Sequence, residues 1–212
     1  MVKSLPEVTM PFQPRSSKLS NKKYLIFDFD ETISTLLIDW NDGYREGIVS
    51  AIQKYDPSFS LSPHQLNRKW VNFELENRFI EHFGQSLRKD LIEFHRVFEK
   101  THYTGCEPNS AVIEFIRSSR GFSIFLWSNN HSETIKRALA DLNLTEKIDR
   151  WVTCEQVLFS KPHPEGFSLL QIPNTALKEY LFIGDSSNDE KAAAKIGLDY
   201  LHVDDFVRLI KK

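Results

Sequence analysis

Two aspartates, Asp28 and Asp30, close the apolar run KKYLIFDFD, and a spacing of two lets both carboxylates leave a strand on nearly the same face. Such a pair can share a displacement. One carboxylate attacks as nucleophile, while the other, protonated when needed, gives a proton to the leaving oxygen and later activates water. Ser128 and Asn129 end a second run, FSIFLWSNN, and are neutral donors suited to phosphoryl oxygens. Lys161 follows a third run, RWVTCEQV, and its ammonium can offset charge where a phosphate meets a carboxylate. A fourth run, YLFIGDSSND, ends in Asp185 and Asp189, spaced like a metal-binding pair on a turn. Hard oxygen ligands of this kind favour magnesium.

The magnitudes require a cation. A phosphate dianion about 4 Å from a carboxylate is repelled by roughly 8 kcal/mol at an effective dielectric of about 20. A divalent ion and Lys161 together reverse that sign, and the ion orients the phosphoryl group for in-line attack.

These side chains need a scaffold that gathers strand ends. Each of the four runs is short, apolar and polar at its exit, as buried parallel strands are, and DYLHV from Asp199 adds a fifth. Helical patterns separate them, starting near Asn109, His131, Pro164 and Asn188, the last closed by Gly197 in a C-cap position. The alternation predicts an α/β fold, a doubly wound parallel sheet, with its ligand at the carboxyl ends of the strands. From about Leu36 to His102 no strand is expected. WNDGYREGIVSAIQKY, HQLNRKWVNFELENRFIEHF and SLRKDLIEFHRVFEK instead space apolar residues three or four apart, an all-helical insertion. The expected organisation is a flexible tail over residues 1–22, a catalytic core over 23–35 and 105–212, and a helical cap over 36–104.

At this point the chain resembles the haloacid dehalogenase superfamily of aspartate-nucleophile phosphatases. Its four motifs stand in order: DFDET from Asp28, FLWS ending at Ser128, KPHPEGF opening at Lys161, and GDSSND from Gly184. By that resemblance Asp28 is nucleophile and metal ligand, and Asp30 is general acid/base and a ligand through its backbone carbonyl. Thr32 and Ser128 hold the site and the phosphoryl group, Lys161 neutralises charge, Asp185 ligates magnesium and Asp189 supports the metal. The insertion resembles the family's cap, and the core its Rossmann-like sheet. Glu31 and Thr35 depart from the pattern, standing where many capped members carry glycine and an acid. An acid at Asp30 is absent from relatives that cleave carbon–halogen bonds, so its presence here favours phosphate esters.

Composition narrows the partners. The 27 basic and 29 acidic residues nearly cancel, so the overall field does not select nucleic acid. No apolar run reaches a membrane-spanning length. Cys106 and Cys154 lack metal-ligand spacing, which suits a reducing cytoplasmic setting. The expected partner is a small phosphorylated metabolite; the sequence sets no oligomeric state. The insertion's Trp40, Tyr44, Trp70, Phe73, Phe79, Phe83, Phe94 and Phe98 read as packing, and its Arg45, Arg68, Arg78 and Arg96 as solvated faces, of which one could reach a second anionic group on the substrate; Arg45, Arg78 and Tyr44 are the candidates for setting substrate preference. His131 and His163, beside motifs, read as surface or capping residues. The leading reading is a magnesium-dependent phosphatase. A phosphomutase of the same superfamily and a phosphate-accepting signalling domain use the same residue types, and an idle scaffold would keep them unused.

Overall fold

The apolar runs pair because each carries residues for both faces of a covered sheet. In the computed structural model, which describes residues 18–62 and 73–211, the strands are β1 Tyr24–Phe27, β2 Ser34–Ile38, β3 Tyr103–Pro108, β4 Ser123–Trp127, β5 Arg150–Val152, β6 Tyr180–Gly184 and β7 Asp199–His202. Five of them form one parallel sheet in the order β5-β4-β1-β6-β7. The helices are α1 Tyr44–Gln53, α2 Phe73–His102, α3 Ser110–Ser118, α4 Ser132–Asp141, α5 Glu165–Leu170, α6 Ser187–Ile196 and α7 Val203–Ile210.

Alternation along the strands explains why helices cover both faces. Leu25, Phe27, Ile124, Leu126, Leu181 and Ile183 join one apolar cluster with α3, α4 and α7 residues such as Ile113, Ile135 and Phe206. Their neighbours Ile26, Phe125, Trp127, Tyr180 and Phe182 join a second cluster with Phe167 of α5 and Ala192 and Ala193 of α6. Burying both faces is what makes these strands nearly continuous in hydrophobicity. The strand order reverses beside β1, so the crevice at its carboxyl end is where such a sheet receives a ligand. The ladder runs one residue further there: Asp28 N–H donates to the Ile183 carbonyl at 2.9 Å, and Ser128 N–H to that of Val152 at 2.9 Å. Both residues are therefore fixed by the sheet.

Three expectations change. The stretch from Leu36 is not strand-free, because β2 occupies Ser34–Ile38 and pairs antiparallel with β3. Its partner lies some 70 positions away in sequence, and no local periodicity announces such a pairing. The run from Arg150 is a strand only to Val152, since Thr153 and Gln156 form a reciprocal cap that starts a short 3-10 turn at Cys154. The expected tail boundary at residue 22 falls inside packed structure: Leu19 is 1% exposed, and the Lys22 ammonium donates to the carbonyls of Lys178 and Tyr180 at 2.8 and 2.9 Å. Residues 1–17, Arg68 and Trp70 lie outside the described residues. No helix among the described residues is long and apolar enough to cross a membrane.

Between β2 and β3 come α1 and α2. The latter is interrupted at Gly84, whose φ of 70° and ψ of −152° are not helical. Glycine reaches that conformation without a Cβ penalty. After the break, Leu87, Leu91, His95 and Phe98 form a buried stripe at helical spacing.

Candidate active site

The chain leaves β1 in a tight turn that sets the two aspartates. Phe29 is fully buried, and its carbonyl receives the N–H groups of Thr32, Ile33 and Ser34 at 3.2, 2.9 and 3.1 Å. Closing this turn puts Glu31 at φ 58°, a left-handed backbone that glycine adopts freely and a side chain opposes. Asp30 turns its Oδ1 to the Leu36 N–H at 2.7 Å. Thr32 is buried, and its hydroxyl donates to Asp185 Oδ1 at 3.4 Å, tying the first motif to the last.

Lys161 is 3% exposed, and its ammonium donates to Asp28 Oδ1 at 2.6 Å, to Asp189 Oδ1 at 2.6 Å and to the Trp127 carbonyl at 2.8 Å. Asp189 is the third residue of α6 and forms a capping box with Ser186, accepting at Oδ2 from its hydroxyl and N–H at 2.6 and 3.1 Å. A Cβ on Gly184 would come within 2.7 Å of the Asp189 side chain, so this close approach of β6 to α6 requires glycine. Asn129 uses its amide on the backbone of Lys161, accepting from its N–H at 2.8 Å and donating to its carbonyl at 3.0 Å. The Ser128 hydroxyl donates to Asn130 Oδ1 at 3.1 Å.

Electrostatically the site is short of positive charge. Oxygens of Asp28, Asp185 and Asp189 all lie within 4.8 Å of one another. Burial pushes the Asp28 carboxyl well above its ordinary range; Lys161 opposes this, and Asp189 and Asp185 add to it. Burial and Asp189 likewise push Asp185 up. The Lys161 ammonium is held above its usual value, because Asp189 and Asp28 outweigh the cost of burying it. Three close carboxylates facing one ammonium form a donor set that a hard divalent cation fits, all oxygen and in excess negative charge.

The carboxylates open onto a cavity of about 1030 Å³. Asp28, Asp30, Asn129, Lys161 and Asp185 line its inner side, and Trp40, Tyr44, Phe73 and Glu74 line the side formed by the helical insertion. Of the expected site residues, Thr32, Ser128 and Asp189 do not line it. His131 accepts from the Glu133 N–H at 3.2 Å as the cap of α4, and His163 from the Glu165 N–H at 3.3 Å. The sequence reading missed the cavity positions of Trp40 and Phe73, whose aromatic spacing looks the same for packing and for lining, whereas Tyr44, one of its candidates for setting substrate preference, lines the cavity. It also missed Glu99, buried on α2, which accepts from the His131 N–H at 3.1 and 3.2 Å and from the Asn130 amide at 3.3 Å.

The family model described as haloacid dehalogenase-like hydrolase matches residues 25–203, a span that holds every one of these site residues. The chain belongs to that family. Among curated relatives of this hydrolase, pyrophosphatase PpaX of Bacillus cereus is 25% identical over 173 residues, covering 78% of this chain and 75% of the relative. A structure assigned as a phosphoglycolate phosphatase, from Lactobacillus plantarum, superposes with a TM-score of 0.57 at 16% identity, over 89% of this chain and 99% of the other. Another, assigned as a beta-phosphoglucomutase from Thermotoga maritima, gives 0.50 at 19% identity over 89% and 98%. Both structural likenesses show the fold of the haloacid dehalogenase-like family and nothing narrower.

Proposed function

We propose that this hydrolase is a magnesium-dependent phosphatase that cleaves a small phosphomonoester through an aspartyl phosphate on Asp28. The observation that carries the reading is the Lys161 ammonium set 2.6 Å from both Asp28 and Asp189, in the same cavity as Asp30. An Asp28 oxygen attacks phosphorus, and the bond from phosphorus to the leaving oxygen breaks as Asp30 gives that oxygen its proton. Asp30, now ionised, takes a proton from water. The water oxygen attacks the phosphoryl group, the bond to Asp28 breaks, and phosphate departs with Asp30 protonated again. Lys161 offsets the phosphoryl charge, while Thr32 and Asn129 hold Asp185 and Lys161 in place. Asp28, Asp185, Asp189 and the Asp30 carbonyl would hold magnesium, which when bound supplies charge stabilisation to the phosphoryl oxygens.

In the same reading residues 23–35 and 105–212 form the catalytic core, and 36–104 form a cap whose aromatics contact the leaving group. The antiparallel pair β2 and β3 spans both boundaries. The relatives' names make pyrophosphate, phosphoglycolate and sugar phosphates the first compounds to test.

Rapid quenching with 32P-labelled substrate tests the covalent step. Label should appear on the peptide containing Asp28 and be absent in Asp28→Asn. Turnover by a folded Asp28→Asn protein at near the wild-type rate would overturn the assignment. Transfer of label to a second sugar instead of water would make the enzyme a mutase.

A further inference from the structure

Two consecutive residues, Ser160 and Lys161, have both of their backbone polar groups held by the side-chain amide of an asparagine. Asn129 does this for Lys161, from the loop after β4. Asn77 does it for Ser160, donating to its carbonyl at 2.8 Å and accepting from its N–H at 3.0 Å. Asn77 belongs to α2, in the helical insertion, 83 residues earlier in the chain. A primary amide carries a donor and an acceptor side by side, so it can pair with a peptide unit as a neighbouring strand would. The lysine segment lies outside every strand. Two asparagines, one from the loop after β4 and one from the helical insertion, stand in for the ladder it lacks.

We propose that Asn77 is a positioning residue for Lys161, so that the helical insertion takes part in the chemistry through the backbone as well as lining the cavity. The proposal rests on the reading of Lys161 as the residue that neutralises phosphoryl charge. Asn77 is 8% exposed and Ser160 2%, so water cannot take over these bonds without the segment moving. The segment's next residue places its ammonium 2.6 Å from two carboxylates. A misplacement of about 1 Å in such a group costs about 100-fold in rate. α2 also grips the core at Arg88, whose guanidinium donates to the carbonyls of Cys154 and Val157, the latter at 3.2 Å. Arg88 hydrogen-bonds to neither residue 160 nor residue 161, and so separates general loosening of the helix from loss of the Ser160 clamp.

The test uses the full chain with magnesium and an aryl phosphate substrate, together with inorganic phosphate as a binding probe. Asn77→Ala should lower kcat by about 10-fold to 100-fold and leave KM within about 3-fold, whereas Arg88→Met should lower the melting temperature with kcat near wild type. Asn77→Ser, which keeps a hydroxyl, replaces the alanine variant if that one does not fold, and carries the same expected split. Phosphate affinity should fall in Asn77→Ala, and should fall no further when the substitution is added to Lys161→Ala. Three results overturn the proposal: a folded Asn77 variant with wild-type kcat, a rise in KM with kcat unchanged, or an equal loss of phosphate affinity in the Lys161→Ala background. Wild-type turnover by Lys161→Ala itself would instead remove the phosphatase reading on which the proposal stands.

Discussion

The carboxylate of Asp30 accepts the N–H of Leu36 at 2.7 Å, so the residue that would move the proton in the proposed reaction is anchored by the strand that leads into the helical insertion. Burial pushes this carboxyl up to about 7, and the Leu36 bond works against that rise. Near neutral pH it is thus divided between acid and base, as a group that must serve as both requires. Asparagine keeps the acceptor for Leu36 but neither gives nor takes the proton. Asp30→Asn should therefore melt near wild type and lose about 100-fold to 10,000-fold in kcat on a poor leaving group, and less on an activated aryl phosphate. Equal rates for wild type and variant on an alkyl phosphate would contradict the role.

Metal dependence is the expectation that the charge imbalance among Asp28, Asp185, Asp189 and Lys161 supports. Activity should vanish in chelator and return with magnesium. Calcium should not restore it, since a larger ion with looser coordination misplaces the phosphoryl group. Undiminished turnover in chelator, at a metal content shown to be negligible, would refute the scheme.

A pH effect on stability is expected at Glu99. Burial pushes its carboxyl up to about 7, against the pull of His95, Thr134, the His131 N–H and the Asn130 amide. His95 is hydrogen-bonded at 3.0 Å to Glu76 on the same helix, and Cys154 faces Glu99 from the loop after β5. For an acid whose folded pKa lies above its unfolded value, the favourable contribution is complete below about pH 4.5. It is lost as pH rises through about 7, and the full difference is on the order of 3 kcal/mol. Denaturant titrations of wild type and Glu99→Gln at about pH 5 and pH 8 should show the balance moving toward the glutamine variant at the higher pH. A difference independent of pH would show that Glu99 does not titrate in this window.

The legible part of the molecule was that written in short range. Each of Asp28, Ser128 and Asp185 directly follows an apolar run, so the sheet itself announced that they share an edge, and the separate motif of Lys161 meets Asp28 there across 133 positions of sequence. Helix starts at Ser110, Ser132, Glu165 and Ser187 fell within a residue of expectation, because caps and periodicity are local signals. The pairing of β2 with β3 was hidden because each strand is short and its partner distant. Asn77, Arg88 and Glu99 were hidden for another reason. A buried polar residue on a helix shows the same spacing as a solvated one, and only the loop it grips tells them apart.

The last prediction concerns selectivity, and the structure sharpens which residues should carry it. Trp40, Tyr44 and Phe73 face the catalytic cavity, whereas Arg78 lines a separate cavity of about 700 Å³ with Tyr55, Phe59 and Phe79. If the core supplies phosphoryl chemistry and the insertion contacts the leaving group, changes in the two regions separate kinetically. Asp28 and Lys161 variants should slow every substrate alike, and Asp30 variants should slow substrates in order of leaving-group basicity. Trp40→Phe and Phe73→Leu should reorder the ranking among pyrophosphate, phosphoglycolate and sugar phosphates, while a small aryl phosphate is processed almost as before. Arg78→Ala should leave the ranking untouched. Trp40 packs on Phe98 at 5.8 Å and edge-on against Tyr44 at 5.0 Å, so the milder aromatic substitution is used to keep that packing, and each variant's melting temperature is measured beside its kinetics. Uniform slowing of all substrates by the Trp40 and Phe73 variants would mean that these aromatics hold the cavity's shape without reading the leaving group. A ranking shifted by Arg78→Ala would move the specificity determinants to the other cavity.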